Sequence, residues 1–513
     1  MTPRGRSLTI QPRQPGPFVR WVERVLPFVG RFRRAYEAAA VGRLTSSIQA
    51  PSTSANAEIG LALPTLRYRS RDLVRNNPHA RKLISTLCNN VIGDGITARP
   101  MCVRAVNGED VADERANRAA LALWQKWIRE CDAEGGLTFS GMQQLALNTF
   151  FESGEVLLRR RRRRVSDGLT VPLQIQLLEP DFLDLNHDGS TDAGRTIQGV
   201  EFDAVGRRRA YWLYQIHPGE SGWVGAGSGG LSSRLPAADV AHVYQATRAG
   251  QVRGVPWLAP VAAEMAMLDR YMTASTIKRE IESCMAAFVS YDDPNDAGIG
   301  AFTTDGTSEK PVSKIGPGMI VNVPNSKQIT FAQPTGDSTA PQFINQILHN
   351  IAAGGLVPHE LMTGDLSQVN YSSIRAGLIE FRRMCSALQQ QIVIPLMLDR
   401  VWSWFVEAAV LSGALEDREG GYPVMWQPPK FEEVDREGEA KADLLELTMG
   451  ATSIAEIIAQ NGRDPEAVLR EVARYRDLAA SLGFVLPHTP PAVAPEPAAV
   501  VAPLALAKPS AAA

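Results

Sequence analysis

LVPHELMTGDLSQVNYSSIRAG, residues 356–377, is the stretch on which the reading of this chain turns. It leaves an apolar segment that ends in Gly354-Gly355, crosses a polar loop and enters a new helix. The helix before it, TAPQFINQILHNIAA, opens with Thr339 as cap and Pro341 in the first turn, and the paired glycines should end it. The helix after it starts at Ser372 or Ser373. It places Ile374, Leu378, Phe381, Cys385, Leu388 and Ile392 on one face, and Pro395 should kink it. Asn, Gln, Ser, Tyr and Arg gathered between two helices fit an active-site loop. They equally fit a loop that touches something passing by.

Working outward, PWLAPVAAEMAMLDRYMTASTIKREIESCMAAF reads as a helix over 257–285, with Pro256 near its start. Val261, Met265, Leu268, Met272, Ile277 and Ile281 give it an apolar stripe, and charges occupy the other faces. Short strands and turns fill 286–338, among them FVSYDD, GMIVNVP and QITFAQP. Upstream, 41–65 has the composition of a linker, and a helical pattern runs from Tyr68 to Val91 until Gly93 and Gly95 stop it. A second helix covers 112–131, with Leu121, Trp124 and Trp127 on one side. A third is capped by Ser140 and runs to Glu152. Then the period becomes that of strands: EVLLRRRRRR, PLQIQLLEP, IQGVEFDAVGRRRAYWLYQIH and DVAHVYQATR. The 66–256 module is therefore α+β. Near the end, three short helices are separated by Gly450 and Asn461-Gly462, with Thr452 and Asp464 as caps. From Leu486 the Pro/Ala-rich composition cannot pack a core and predicts a flexible tail.

A chain of 513 residues predicts two to four modules, and 44% hydrophobic residues suffice for a sizeable core. A net charge of −2 provides no global basic field. The five cysteines are scattered and form no CxxC, which predicts reduced thiols with neither disulfides nor a zinc site. The longest apolar run, 392–411, is broken by Pro395, Asp399, Arg400 and Glu407, so no membrane span is expected. The N-terminus is Arg-rich and carries one amphipathic helix around 18–40; it superficially resembles a transit peptide but lacks a secretory h-region.

Most tempting motifs fail on context. DLNHDG at 184–189 opens like a calcium loop, but Arg195 stands where the closing Glu belongs and the flanks read as strands. GAGSGG at 225–230 lacks the strand and helix of a dinucleotide site. The seven histidines show no metal spacing, and neither a nucleophile elbow nor a phosphate loop is present. No catalytic residue, metal ligand or cofactor is therefore nominated. Arg159–Arg164 alternate faces on a strand. They read as a solvated hairpin or as an inter-subunit or nucleic-acid contact.

The order of these pieces resembles the portal proteins of tailed bacteriophages, the lambda-type family in particular. RSRDLVRNNPHARKLISTLCNNVIGDGI, the W-x-x-W helix with CDAEGGLTF, QLLEPDFLD, GVEFDAVGRRRAYWLY and RGVPWLAP carry it. So do LVPHELMTGDLSQVNYSSIRAG and WQPPKFEEVDREGEAKAD, and the likeness extends over roughly 60–480. NYSSIRAG and RNNP are the most specific, since neither follows from composition or periodicity. The chain has Asp435-Arg436 where the family often has Asp-Pro, a difference confined to a local turn.

The resemblance implies a portal fold closed into a ring, typically of twelve subunits, at one capsid vertex. Residues 1–65 would be a basic arm and linker, and 66–256 an outer wing joined by the region after Pro395. Stem helices would be 257–285 and 339–355, with a clip at 286–338 between them. A tunnel loop would be 356–373, a long kinked wing helix and strand 374–431, a helical crown 432–485 and a tail 486–513. Implied partners are sister subunits, double-stranded DNA in the channel, the terminase large subunit, a head-completion or adaptor protein and the major capsid protein, with no membrane. The implied location is the virion's portal vertex, and the host cytoplasm during assembly. Ser367, Gln368, Asn370 and Tyr371 would meet DNA with neutral donors and acceptors. A ring of fixed cations there would gain counterion-release affinity and slow translocation. Arg375 would touch a phosphate or form an inter-subunit ion pair, and the same choice holds for Lys278 and Arg279 on the stem. Two other classes compete. One is a nucleic-acid-processing enzyme with 356–375 as its site, against which the missing acidic metal cluster counts. The other is a DNA-binding regulator, which the near-neutral charge disfavours.

Overall fold

This computed structural model describes residues 52–484, except 108, 192–193, 221–230, 284–286, 292–319, 325–329, 332–338, 368–370, 432–435, 461–462 and 464. The expected N-terminal amphipathic helix, the GAGSGG segment and the tail from 486 lie outside the described residues. The chain divides into two units, 1–58 and 59–513; of the first, the described part holds only the start of helix α1 (Ala55–Asn76). That helix corrects the linker expected over 41–65. ANAEIGLAL is rich in strong helix formers, and Leu63 is fully buried. The single helix expected from Tyr68 to Val91 is also two. Asn77 leaves the helical region, and its side chain accepts the amides of His79 and Ala80, both at 3.0 Å. Pro78 then opens α2 (Pro78–Val91). RNNP is thus a helix break with its own cap.

A short strand β1 (Thr97–Pro100) and a hairpin of β2 (Val103–Val106) and β3 (Glu109–Ala112) lead to α3 (Glu114–Trp127), capped by Asp113. The next helix, α4 (Phe139–Ser153), is capped by Thr138 rather than Ser140 and ends on the left-handed Gly154. A three-stranded antiparallel sheet follows, with β4 (Glu155–Arg162) between β5 (Leu173–Leu178) and β11 (Val240–Tyr244). Between β5 and β11 the chain makes a second antiparallel sheet from β6 (Gly189–Thr191), β7 (Gly194–Ile197), β8 (Val200–Asp203), β9 (Arg208–Leu213) and β10 (Ser233–Pro236). It meets the first sheet through a small apolar cluster around Leu157, Leu178, Tyr211 and Val240.

Helix α5 (Ala262–Ser283) is shorter than the 257–285 rod expected; 22 residues span about 33 Å. Residues 257–261 form tight turns instead, because Pro260 withholds an amide that a helix running through it needs. Strand β12 (Ala287–Tyr291) then pairs in parallel with β13 (Ile320–Pro324) and antiparallel with β14 (Thr330–Phe331). Helix α6 (Ala340–Gly355) is followed by the single-turn α7 (His359–Thr363). The long helix comprises α8 (Tyr371–Leu388), a stretch of wide π-type turns over Gln389–Leu398, and α9 (Asp399–Leu411). Pro395 lies inside the widened stretch, which absorbs its missing amide as wide turns. Buried Gln389 donates from Nε2 to the Val91 carbonyl at 2.8 Å, fixing this stretch to the end of α2.

Strand β15 (Val424–Gln427) returns to pair with β1, so the region after Pro395 completes the module begun at residue 66. One main core unites them. At its centre Trp124 packs against Trp127, Phe139, Trp402 and Phe405, with ring centroids 4.9–5.2 Å apart. The tryptophan N–H groups are satisfied as burial requires: Trp127 donates to the Leu173 carbonyl and Trp402 to the Tyr422 carbonyl. Helices α10 (Arg436–Thr448), α11 (Ile454–Gln460) and α12 (Pro465–Ser481) are the three expected near the end. Ser453, rather than Thr452, caps α11 by accepting the Glu456 amide at 3.0 Å; Thr452 instead donates to the Glu456 carboxylate. Asp464 lies outside the described residues. The described fold is α+β throughout.

Candidate functional site

The polar loop hangs from the junction of α5, α6 and α7, and the residues that build this junction are small or aromatic. Trp257 stacks edge-on against Phe151 (5.2 Å, 90°) and donates from Nε1 to the Gly355 carbonyl at 2.8 Å. As expected, α6 ends at Gly355, but neither glycine is its left-handed stop; that residue is Leu356 (φ +57°). The glycines' role is packing. A Cβ on Gly354 would fall well inside 3.0 Å of Val261 Cγ1, and one on Gly355 equally close to Leu83 Cδ1. The two glycines therefore let α6 lie directly against the root of α5 and against α2.

Beyond Leu356 the chain is not yet loop. Val357 and Met362 are buried, and α7 lies on α2. The tunnel loop expected over 356–373 is thus corrected at both ends, since α8 already begins at Tyr371. The reason is apolar anchoring: Val357, Leu361 and Met362 join the main core. The free polar part starts at Gly364. Ser367 is exposed, and its amide donates to Asp365 Oδ1 at 2.9 Å. The Ser367 hydroxyl and amide together hold the Asp365 carboxyl below its ordinary range. Gln368 and Asn370 lie outside the described residues, and of Tyr371 only the helical backbone is described. Arg375 is exposed near the start of α8. Lys278, half-buried, and Arg279, exposed, sit on the separate helix α5. The structure therefore places Ser367 and Arg375 on one loop-to-helix segment and the stem pair on another element.

On α5 the apolar stripe divides in two. Val261, Met265 and Leu268 are buried in the main core, whereas Met272 and Ile277 are 44% and 51% exposed; the Ile281 side chain lies outside the described residues. Tyr271 meets Phe343 edge-on at 5.2 Å, which joins α5 to α6 above the core. His349 and His359 stack at 3.9 Å beside the junction. Burial, then the neighbouring ring, lowers the proton affinity of His359.

Behind the junction lies a charge network that reading the sequence missed. Glu155 is fully buried at the start of β4. It receives Arg67 from α1, Arg253 Nε (2.8 Å) and the Gly254 amide (2.7 Å), and lies 2.8 Å from His242 Nε2 on β11. Arg253, itself fully buried, also donates to the carbonyls of Gln198 (3.0 Å) and Pro180 (3.2 Å). Burial alone would raise the Glu155 pKa, but Arg253, Arg67 and His242 overcome it and hold the carboxyl well below its usual range. Burial drives His242 down to about 4 and Arg67 to about 10, each partly offset by Glu155. Gly154 and Gly254 bring the two backbones into direct contact, since a Cβ on either would collide with the other strand. The signal in the sequence was the pair SGE at 153–155 and RGVP at 253–256, which is legible only once the two are known to touch.

One acidic group was also not expected. Ligand atoms of Glu179, Asp181 and His217 lie within 4.8 Å of one another. Arg71 forms ion pairs with both carboxylates, which offsets part of their charge. The Asp184 carboxylate of DLNHDG is held by the hydroxyls of Tyr214 and Ser232, both at 2.7 Å, so the segment is a fastened turn.

With this geometry described, comparison with known proteins is decisive. Residues 41–389 match the sequence model described as phage portal protein, lambda family. The chain belongs to that family. The probable portal protein of Halomonas phage phiHAP-1 is 26% identical over 479 residues, covering 89% of this chain and 88% of that protein. Portal protein B of Escherichia phage lambda is 23% identical over 359 residues, covering 64% of this chain and 66% of its own length. Among solved structures, a chain in the virion of a native gene transfer agent particle aligns with a TM-score of 0.41 at 15% identity, over 79% of this chain and 94% of its own. In this member of the portal family no described helix is long and apolar enough to cross a membrane. The junction Gly354-Gly355-Leu356 and the RGVP motif are the elements that position its polar loop.

Proposed function

We propose that the protein assembles into a closed ring, of twelve subunits as the family resemblance implies, at a single capsid vertex. Duplex DNA passes through its channel during packaging and ejection. The observation that supports this reading most directly is the divided stripe on α5. Its root is satisfied within the chain, while Met272 and Ile277 further along are 44% and 51% exposed. A heterologous contact that closes by rotation covers that face with the neighbouring subunit. In this assembly 66–256 with the region after Pro395 is the wing, α5 and α6 the stem, β12–β14 the clip, and α10–α12 the crown. The terminase large subunit and a head-completion protein dock in turn at the clip, and the major capsid protein surrounds the wing.

The tunnel loop narrows to the segment from Gly364 to Asn370, with Ser367, Gln368, Asn370 and Tyr371 facing DNA. Asp365 adds a feature the neutral donors lack. A carboxylate held ionised in each copy repels phosphates, so the constriction does not bind the duplex tightly. Arg375 touches backbone phosphate or a sister subunit, and Lys278 and Arg279 line the stem or pair between subunits. The protein performs no covalent chemistry of its own. Particle mass of the purified full chain, with negative-stain images, tests the reading: rings with a central hole are expected, and a stable monomer at micromolar concentration refutes it.

A further inference from the structure

We propose that the arginine arm formed by β4 and its tip, Arg159–Arg164, is a contact for duplex DNA outside the channel. The inference rests on the reading that this protein handles duplex DNA. It goes beyond that reading by giving the wing a DNA contact of its own.

Strand β4 is central in its sheet, so its side chains alternate between faces. Arg160 points to the core side, where it is 4% exposed and pairs with Glu407 at 2.8 Å. Arg162 pairs with Asp239 at 2.8 Å, and Arg163 donates to Gln174 at 2.8 Å. Arg159 and Arg161 share the other face, about 6.7 Å apart along the strand. Neither forms a hydrogen bond or ion pair with any described residue through its side chain. Burial and then the neighbouring Arg161 lower the proton affinity of Arg159, partly offset by Asp239.

The acids packed around the arm do not balance it. Asp239 is taken by Arg162, Asp167 accepts the Arg164 amide at 3.0 Å, and Glu130 accepts the Thr170 amide at 2.6 Å. With the Arg160–Glu407 pair set aside, five arginines face three carboxylates. Two adjacent, half-buried cations are unfavourable in the free protein, so the face gains from a ligand with repeated negative charge along a line. The surface chemistry selects among such ligands. A protein partner needs an apolar centre to its interface. Here the residues opposite Arg159 and Arg161 on β5 are Gln176 and Gln174, the latter donating to the Glu130 and Asp132 carbonyls, and the one apolar residue across from the pair, Val240 on β11, is already buried within the chain. Guanidinium groups flanked by amides suit phosphate oxygens, which such side chains bind without reading sequence.

The test adds covalently closed circular duplex DNA to preformed full-length protein, because a closed circle cannot thread a closed ring. Binding is followed against salt concentration for wild type, Arg159→Gln/Arg161→Gln, Arg161→Gln alone and Arg159→Lys/Arg161→Lys. Two lost phosphate contacts should flatten the log–log salt slope by about 1.8, which weakens binding roughly 200-fold at 0.05 M salt relative to a 1 M reference. The single variant should show half that slope change, and the lysine variant should keep most of the wild-type slope. Wild-type slopes in the glutamine variants overturn the proposal. So does arginine-dependent binding of polyglutamate without arginine-dependent binding of DNA, which identifies an acidic protein ligand. Loss of rings in the glutamine variants also overturns it and makes the arm a subunit contact. If wild type forms no rings yet binds circles through these arginines, the portal assembly fails and the DNA contact stands.

Discussion

Replacing Gly354 and Gly355 with alanine sets two physical effects against each other. Within a helix, alanine is favoured over glycine by about 1 kcal/mol per position. Were the glycines merely terminators, the double variant would extend α6 and leave stability equal or higher. The structure predicts the reverse. The new Cβ of residue 355 would meet Leu83 Cδ1 well inside 3.0 Å, with Cγ at 3.3 Å, and Leu83 is fully buried in the main core. The new Cβ of residue 354 would meet Val261 Cγ1, whose β-branched side chain is stiff at χ1. Overpacking of this kind costs about 1–3 kcal/mol per site. After the helix-propensity gain is subtracted, each site loses about 1 kcal/mol, and the pair about 2 kcal/mol. The loss should concentrate at the α5–α6–α2 junction. Amide exchange over 340–366 reads it directly, with faster exchange there than over α3 or α4. A cycle with Leu83→Ala adds a second reading: in that background Gly355→Ala should lose the overpacking cost and keep the helix-propensity gain, giving a coupling of about 2 kcal/mol. A double alanine variant as stable as wild type, with unchanged exchange at the junction, refutes the packing role.

Arg253→Met should destabilise by about 3–5 kcal/mol, since it strands a buried carboxylate and two carbonyls, and Arg67→Met somewhat less; soluble yield and thermal unfolding check both. Stability should also fall with acid in two steps. The His242 pKa is depressed from 6.5 to about 4, so the unfolded chain binds the proton first and stability declines as pH drops through that window. Glu155 titrates well below its usual value, so its contribution is present above about 4.3 and is lost below it. His242→Gln should remove the first step and leave the second, as read by melting temperature against pH.

Much of the architecture was legible because it repeats at short range. The strands of 155–213 and 240–244 announced themselves by alternation, and the last three helices by their helical pattern and the break at Gly450. The failures differ in cause. The break at Asn77-Pro78 is a local cap, and Pro395 is taken up by wide turns of its own helix, whereas at Gly354-Gly355 the local meaning was overridden by what the residues touch across the chain. A glycine pair reads as a stop until Leu83 and Val261 are known to lie against it. Of the loop, the polar character of Ser367 was visible, but the burial of Val357 and Met362 that shortens it was not. The Glu155 network could not be read at all, because its members are spread from residue 67 to residue 253 and are individually ordinary.

The division of α5 into a buried root and a bare tip bears on the order of events in a cell. The angle at which this rod leaves the body of the subunit is set by Trp257, Val261, Met265 and Leu268, all contacts within one polypeptide. In the ring proposed above, each copy would arrive with its inclination already determined, before it has met a sister. Neighbours would need only to cover the tip. Curvature would then be inherited from the individual subunit, and the number of copies that closes the circle would follow from that one angle.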